Sequence, residues 1–155
     1  MDLRFEYLPA DEAVIAQVTE WLFEAFGRRQ PDGSPAKTRA EIIERIGRDQ
    51  VPLCLVAYDG DRPVATFSLT DDDMRTRPEW KPWLADLVVA PELRGRGIGT
   101  AMLRRAEEEF RRLGVPAGYL FTWDHEPMYA RLGWKTIVRE PYRADLVAVM
   151  KREFE

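Results

Sequence analysis

The sequence predicts one α/β domain built on a mixed, mostly antiparallel sheet of about seven strands, flanked by about four helices. Three observations predict it. Apolar residues alternate in some stretches and recur about every 3.6 residues in others, in the order strand, two helices, three strands, helix, strand, helix, two strands. Only one helix joins strands in a way that demands a parallel crossover, which argues against a doubly wound sheet. At 155 residues, 45% of them hydrophobic, the chain has the size and apolar content of one domain around one core, so residues 1–155 are read as a single unit.

Leu3, Phe5 and Tyr7 alternate with polar residues as a first strand that Pro9 closes. From Asp11, a fair N-cap, Val14, Val18, Trp21, Leu22 and Ala25 share one face of a helix running to near Gly27. Pro31, Gly33 and Pro35 then mark a loop, and Ile42, Ile43 and Ile46 give the apolar face of a second helix ending near Gly47. Residues 53–58 and 64–69 are β-rich runs joined by Asp59-Gly60-Asp61, a hairpin signal. Residues 71–82 are polar with two prolines and read as a loop that lies over the site; residues 84–90 read as a central strand. Ile98, Met102, Ala106, Phe110 and Leu113 mark a long helix stopped by Gly114 and Pro116. Residues 119–123 form a strand parallel to the previous one, because a helix crosses between them. Pro127 opens a short helix ending at Gly133. Residues 134–138 and 145–150 are closing antiparallel strands.

Composition excludes several classes. The longest apolar run, residues 53–58, is far below the roughly 18 residues of a membrane span, and acids at Asp2, Glu6, Asp11 and Glu12 do not fit a signal peptide, so a cytoplasmic protein without a membrane partner is expected. One cysteine, Cys54, and one histidine, His125, make neither a disulfide nor a Cys/His metal cluster, and no metal is expected. Cys54 sits in an apolar strand and reads as a plain buried thiol. A formal net charge of −4 gives no support for nucleic-acid binding. Charge is uneven, with six arginines against three acids in residues 94–112 and six acids against three bases in residues 71–92.

The most informative stretch is Arg94-Gly95-Arg96-Gly97-Ile98-Gly99-Thr100, between a strand and the long helix. N–H groups at a helix start lack intrahelical partners, and the helix dipole adds partial positive charge there. Glycines at 95, 97 and 99 remove side chains that would hold a diphosphate away, and Arg94 and Arg96 add charge. The stretch is no Walker loop, since no Gly-Lys-Ser/Thr follows. It is also a poor dinucleotide fingerprint, with Thr100 where a third small residue belongs, although Asp124 lies about where a ribose-binding acid would.

The run Leu87-Val88-Val89-Ala90-Pro91-Glu92-Leu93-Arg94-Gly95-Arg96-Gly97-Ile98-Gly99 resembles the strand-plus-loop signature of GNAT N-acetyltransferases, Gln/Arg-x-x-Gly-x-Gly/Ala, with Arg94, Gly97 and Gly99 in place. A second block, Met128-Tyr129-Ala130-Arg131-Leu132-Gly133-Trp134, is similar to the family's later Tyr-x-x-x-Gly-Phe segment, with Trp134 for the commoner Phe. The resemblance implies the GNAT fold, its sheet splayed between two parallel strands, and acetyl-CoA as cosubstrate. It implies that the coenzyme diphosphate rests on Arg94, Gly95, Arg96, Gly97, Ile98, Gly99 and Thr100, and that the pantetheine arm lies along Leu87, Val88 and Val89. The Val89 N–H would then meet the acetyl carbonyl, the oxyanion stabilisation that acyl transfer needs.

The reaction implied is direct attack of a primary amine on the thioester in a ternary complex. An alkylammonium with a pKa near 10.4 must first lose a proton. Asp86, an acid in an otherwise apolar strand, matches the carboxylate that family members often carry there as base; burial would raise its pKa, and the alternative is that it only binds an ammonium or a neighbouring backbone group. Tyr129 matches the family's general acid beside the coenzyme sulfur. A phenol near 10 is a weaker acid than a thiol near 8.5, so Tyr129 is expected to act chiefly as a hydrogen-bond donor, the alternative being a core aromatic. His125 reads as a second acid/base group or a polar cap. Asp71-Asp72-Asp73 would attract a cation or form a solvated loop, and Trp80 and Trp83 would wall an acceptor pocket or pack on the sheet. The acceptor is a small amine or a peptide or protein amine, on a monomer or homodimer. A non-catalytic acyl-CoA-binding sensor or subunit of the same fold is the alternative function.

Overall fold

A computed structural model of the chain describes residues 2–155. Seven strands form one sheet: β1 (Leu3–Tyr7), β2 (Leu53–Asp59), β3 (Arg62–Thr70), β4 (Trp83–Val89), β5 (Ala117–Thr122), β6 (Lys135–Tyr142) and β7 (Asp145–Glu153). Their order is β1-β2-β3-β4-β5-β7-β6, every neighbouring pair antiparallel except β4 and β5. The helices are α1 (Glu12–Ala25), α2 (Pro35–Ile43), α3 (Ile98–Arg112) and α4 (Glu126–Arg131), with 3-10 turns at Gly27–Arg29 and Pro91–Leu93. This is the mixed sheet with four helices that the periodicity predicts.

Local chemistry caps the first two helices, and the start of α3 differs in a way that matters. Asp11 caps α1 by accepting from Ala13 N at 2.9 Å and Val14 N at 3.2 Å. Ser34 caps α2 by accepting from Lys37 N at 3.1 Å, with Pro35 in the first turn. The start of α3 has a glycine at the cap, Gly97, and no side-chain cap, so its leading N–H groups are left for another acceptor. Helix α2 is shorter than its apolar spacing suggests: only Ile42 of the three isoleucines is buried, and Ile43 and Ile46 face solvent. The chain leaves the helix at Glu44, and this departure carries Arg45 toward the sheet.

The core lies between sheet and helices, and α3 is clamped into it at two points by carboxylates that the sequence shows only as part of a charged run. Glu107, 2% exposed, faces Arg152 Nε of β7 at 3.4 Å. Glu109, fully buried, accepts from Tyr7 Oη at 2.9 Å, Arg105 Nη1 at 3.0 Å and Arg112 Nε at 2.8 Å. Burial pushes the Glu109 carboxyl up, and the hydrogen bonds from Arg112, Tyr7 and Arg105 more than offset it, so its pKa falls below the ordinary 4.5. A lowered folded-state pKa stabilises the fold above the unfolded value and loses that contribution as pH falls through the folded one. Acid titration of stability is therefore expected to steepen below about pH 4.5. Glu109→Gln should flatten that slope, measured by urea unfolding across pH.

Candidate active site

The site begins with an irregularity in β4. Thr66 pairs with Val88 and Ser68 with Ala85, so Asp86 and Leu87 together oppose the single residue Phe67. This is a β-bulge, and Asp86 at its apex has φ 54, a left-handed conformation that aspartate tolerates better than most residues. A bulge bends its strand, and β4 parts from its parallel neighbour here: the two pair only at Trp83 and Tyr119, where Tyr119 N donates to Pro82 O at 3.0 Å. From there β5 runs with β7 and a gap opens between the two parallel strands.

The end of β4 aims a donor into that gap. Successive N–H groups along a strand point to opposite sides. Ala90 N donates to Val64 O at 2.8 Å, so the N–H of Val89 points away from β3, toward the space β5 has vacated. The start of α3 is brought to the same place, because a Cβ on Gly99 would stand 4.0 Å from Val89 Cγ2. Gly95 and Gly97 take φ of 80 and 83, and a Cβ on either would meet open space. The loop therefore leaves room beside its glycines at the uncapped start of α3, where leading N–H groups suit an anion, with Arg94 and Arg96 exposed beside it.

Helix α4, which carries Tyr129, follows the C-terminal end of β5. The Tyr129 ring is half-buried against the core and the residue's carbonyl accepts from Trp134 N at 3.1 Å. Burial, with Asp124 nearby, pushes the phenol up to about 12. A proton passing from such a phenol to a thiolate would climb about 5 kcal/mol, so the group suits hydrogen-bond donation better than full proton transfer.

Asp86 does not stand free. Arg45 Nη1 donates to its Oδ2 at 2.7 Å and to Ser68 Oγ at 2.9 Å, with the Arg45 side chain only 12% exposed. Nothing in the sequence marks Arg45, which lies just past α2 among charged surface residues. Beside the pair lies Asp73, whose carboxyl is pushed up to about 8 by desolvation and then by the charge of Asp86, with Arg45 and Arg143 acting the other way. His125 occupies the cap position of α4 but caps nothing with its ring, which meets Asp124 Oδ1 at 2.6 Å. Trp83 is fully buried, and Trp80 stacks on Tyr119 with centroids 5.8 Å apart, so both tryptophans pack on the sheet. Cys54 is buried, its thiol pushed up by burial, as its strand position suggests. Among the described residues no cluster of three His, Cys, Asp or Glu side chains is arranged to hold a metal ion, and no helix is long and apolar enough to cross a membrane.

Comparison with known proteins bears on this geometry. The model of the acetyltransferase (GNAT) family matches residues 15–134, well over half of the chain. Mycothiol acetyltransferase of Mycobacteroides abscessus is 37% identical over 102 residues, 59% of this chain; those residues span 34% of that protein, so the chain corresponds to about a third of its length. Among solved structures, an aminoglycoside 6'-acetyltransferase type Ii superposes with a TM-score of 0.72 at 21% identity, covering 97% of this chain and 96% of that one. An acetyltransferase from Salmonella typhimurium, solved with acetyl-CoA, gives 0.72 at 16% identity over 99% and 94% of the two chains. The overall fold is thus shared with solved acetyltransferases, and the family model covers most of the chain: the chain belongs to the GNAT family of acetyltransferases.

Proposed function

We propose that residues 1–155 form one catalytic unit that moves the acetyl group of acetyl-CoA to a primary amine by direct attack in a ternary complex. The observation that carries this reading is the convergence of the N–H cradle of α3 and the Val89 N–H on one gap between diverging parallel strands. The diphosphate sits on residues 94–100, held by backbone N–H groups and by Arg94 and Arg96. The pantetheine arm follows Leu87, Val88 and Val89, in effect replacing the hydrogen bonds that β5 withdraws from β4. The thioester carbonyl then meets the Val89 N–H, which stabilises the oxyanion as the amine attacks. Asp86 engages the acceptor's ammonium group, and Tyr129 donates a hydrogen bond to the departing sulfur.

The relatives support an amine acceptor, since one is named for aminoglycosides and another for mycothiol. A thiol-release assay with acetyl-CoA and a panel of amines tests the reaction: kanamycin, spermidine, a peptide N-terminus and a peptide lysine. Amine-dependent release supports it, and binding of acetyl-CoA without release under any of these supports a sensor instead. Tyr129→Phe is expected to lower kcat by roughly tenfold or more while acetyl-CoA affinity stays unchanged, by the usual magnitude for a donor to the leaving group. Unchanged turnover would remove the phenol from the mechanism.

A further inference from the structure

Residues 43–50 run along the surface between the last turn of α2 and β2, and all of them are exposed except Arg45. Its flanking isoleucines, Ile43 and Ile46, are 42% and 37% exposed, while the Arg45 side chain is only 12% exposed. Burying the charge and leaving the aliphatics in water is the reverse of what stability favours, because a buried ion pair seldom stabilises a fold more than apolar packing of the same volume. The inserted guanidinium has two anchors. Its Nη1 donates to Oγ of the fully buried Ser68 at 2.9 Å and to Asp86 Oδ2 at 2.7 Å.

Those anchors fix the side of the sheet on which Asp86 stands. Tyr7 pairs with Leu55 and Leu55 with Phe67, and residues directly opposite one another share a face. Tyr7 Oη reaches Glu109 of α3, so this is the face that α3 covers. Ser68, next along β3, points the other way, and the guanidinium that it shares with Asp86 puts the carboxylate on that same face. Asp86 also belongs to the stretch of β4 beyond Trp83, where β5 no longer pairs with it. Its side chain therefore borders the gap from the side away from α3, 22% exposed, with one carboxylate oxygen held by Arg45 and the other, Oδ1, left to a ligand.

We propose that Arg45 is a positioning residue for acetyl transfer: by gripping Oδ2 of Asp86 it aims Oδ1 at the ammonium group of the acceptor, which enters from the face opposite the coenzyme. This rests on the acetyl-transfer reading above and names the residue that sets its acceptor site. A free aspartate carboxylate turns about two side-chain bonds, and misplacing a substrate-binding group by about 1 Å costs on the order of a hundredfold in rate. One guanidinium nitrogen shared between a buried serine of β3 and the carboxylate of β4 removes that freedom, because the serine is fixed by the sheet. Arginine suits the task through its planar, pre-organised donors. Lysine at the same place supplies the charge on a flexible stem and holds the carboxylate less firmly.

The test is a double-mutant cycle of Arg45→Met and Asp86→Asn, read as kcat and KM for thiol release with kanamycin and spermidine as probe amines, alongside calorimetry of acetyl-CoA binding. Arg45→Met should raise KM for the amine roughly tenfold or more, change kcat less, and keep wild-type acetyl-CoA affinity. Arg45→Lys should recover part of the loss. In the Asp86→Asn background the same Arg45→Met change should cost nothing further, since the arginine acts through the carboxylate. If Arg45→Met alone does not fold, the comparison of the double variant with Asp86→Asn, and of Arg45→Lys with wild type, decides the matter. Losses that multiply, an amine KM that Arg45→Met leaves alone, or a lysine variant no better than methionine overturn the assignment while the acetyl-transfer reading stands. Wild-type protein that binds acetyl-CoA yet turns over neither amine overturns that reading, and the role of Arg45 with it.

Discussion

Replacing Gly97 by glutamate is expected to abolish acetyl-CoA binding while leaving the fold intact. Two effects combine. The residue sits at φ 83, where a side chain costs about 1–2 kcal/mol that glycine does not incur. The new Cβ meets nothing of the protein, so the side chain extends into the cradle proposed for the diphosphate. A carboxylate about 4 Å from a phosphate charge, near a protein surface, is repelled by roughly 4 kcal/mol, on the order of a thousandfold in affinity. Gly97→Asn is the control, since asparagine accepts the left-handed conformation and brings no charge; it should retain binding to within roughly tenfold. Calorimetry with acetyl-CoA, and far-ultraviolet dichroism to confirm folding, decide the matter. Wild-type affinity in the glutamate variant would place the diphosphate elsewhere.

The second large effect is on stability. Gly133→Ala, in the turn after α4, should cost about 1–3 kcal/mol, seen as a fall in Tm of several degrees. Gly133 has φ 99, and a Cβ there would lie 1.8 Å from Arg152 Nη1. The guanidinium tip must shift, which loosens the contact of Arg152 with Glu107, a residue 2% exposed on α3 that also faces Arg104 Nη1 at 3.6 Å. The glycine of the second motif therefore serves packing: it lets an arginine of β7 lie over the turn that carries Tyr129 and reach the helix whose start forms the cradle. A double-mutant cycle with Glu107→Gln tests this, because removing the buried charge should lessen the cost of the alanine. Strict additivity would show that the arginine and the glutamate are uncoupled.

The order of elements along the chain and the glycine-rich start of α3 were legible because each rests on local chemistry: alternation, a hairpin at Asp59-Gly60, a run of glycines before a helix. Element ends were less so, as the early end of α2 shows, since the exposure of Ile43 and Ile46 depends on what the helix packs against. The same limit hid the environment of Asp86. Its strand position is plain in the sequence, but the bulge that turns it depends on the register with β3, and the arginine that holds it lies 41 positions away. Glu107 and Glu109 stand out in the sequence only as acids of a charged stretch, yet they are buried clamps, because burial of a helix face is decided by the sheet beneath it. Tyr129 and Gly133 stood out through a motif, and only the packing of Arg152 gives the second of them a physical reason.

If α3 and the end of β4 together bind coenzyme A, titrating acetyl-CoA into the folded protein in a calorimeter must release or absorb heat. One site per chain with a dissociation constant on the order of micromolar is expected, lost in Gly97→Glu. A flat trace with both acetyl-CoA and free coenzyme A, from protein that unfolds cooperatively, would contradict it.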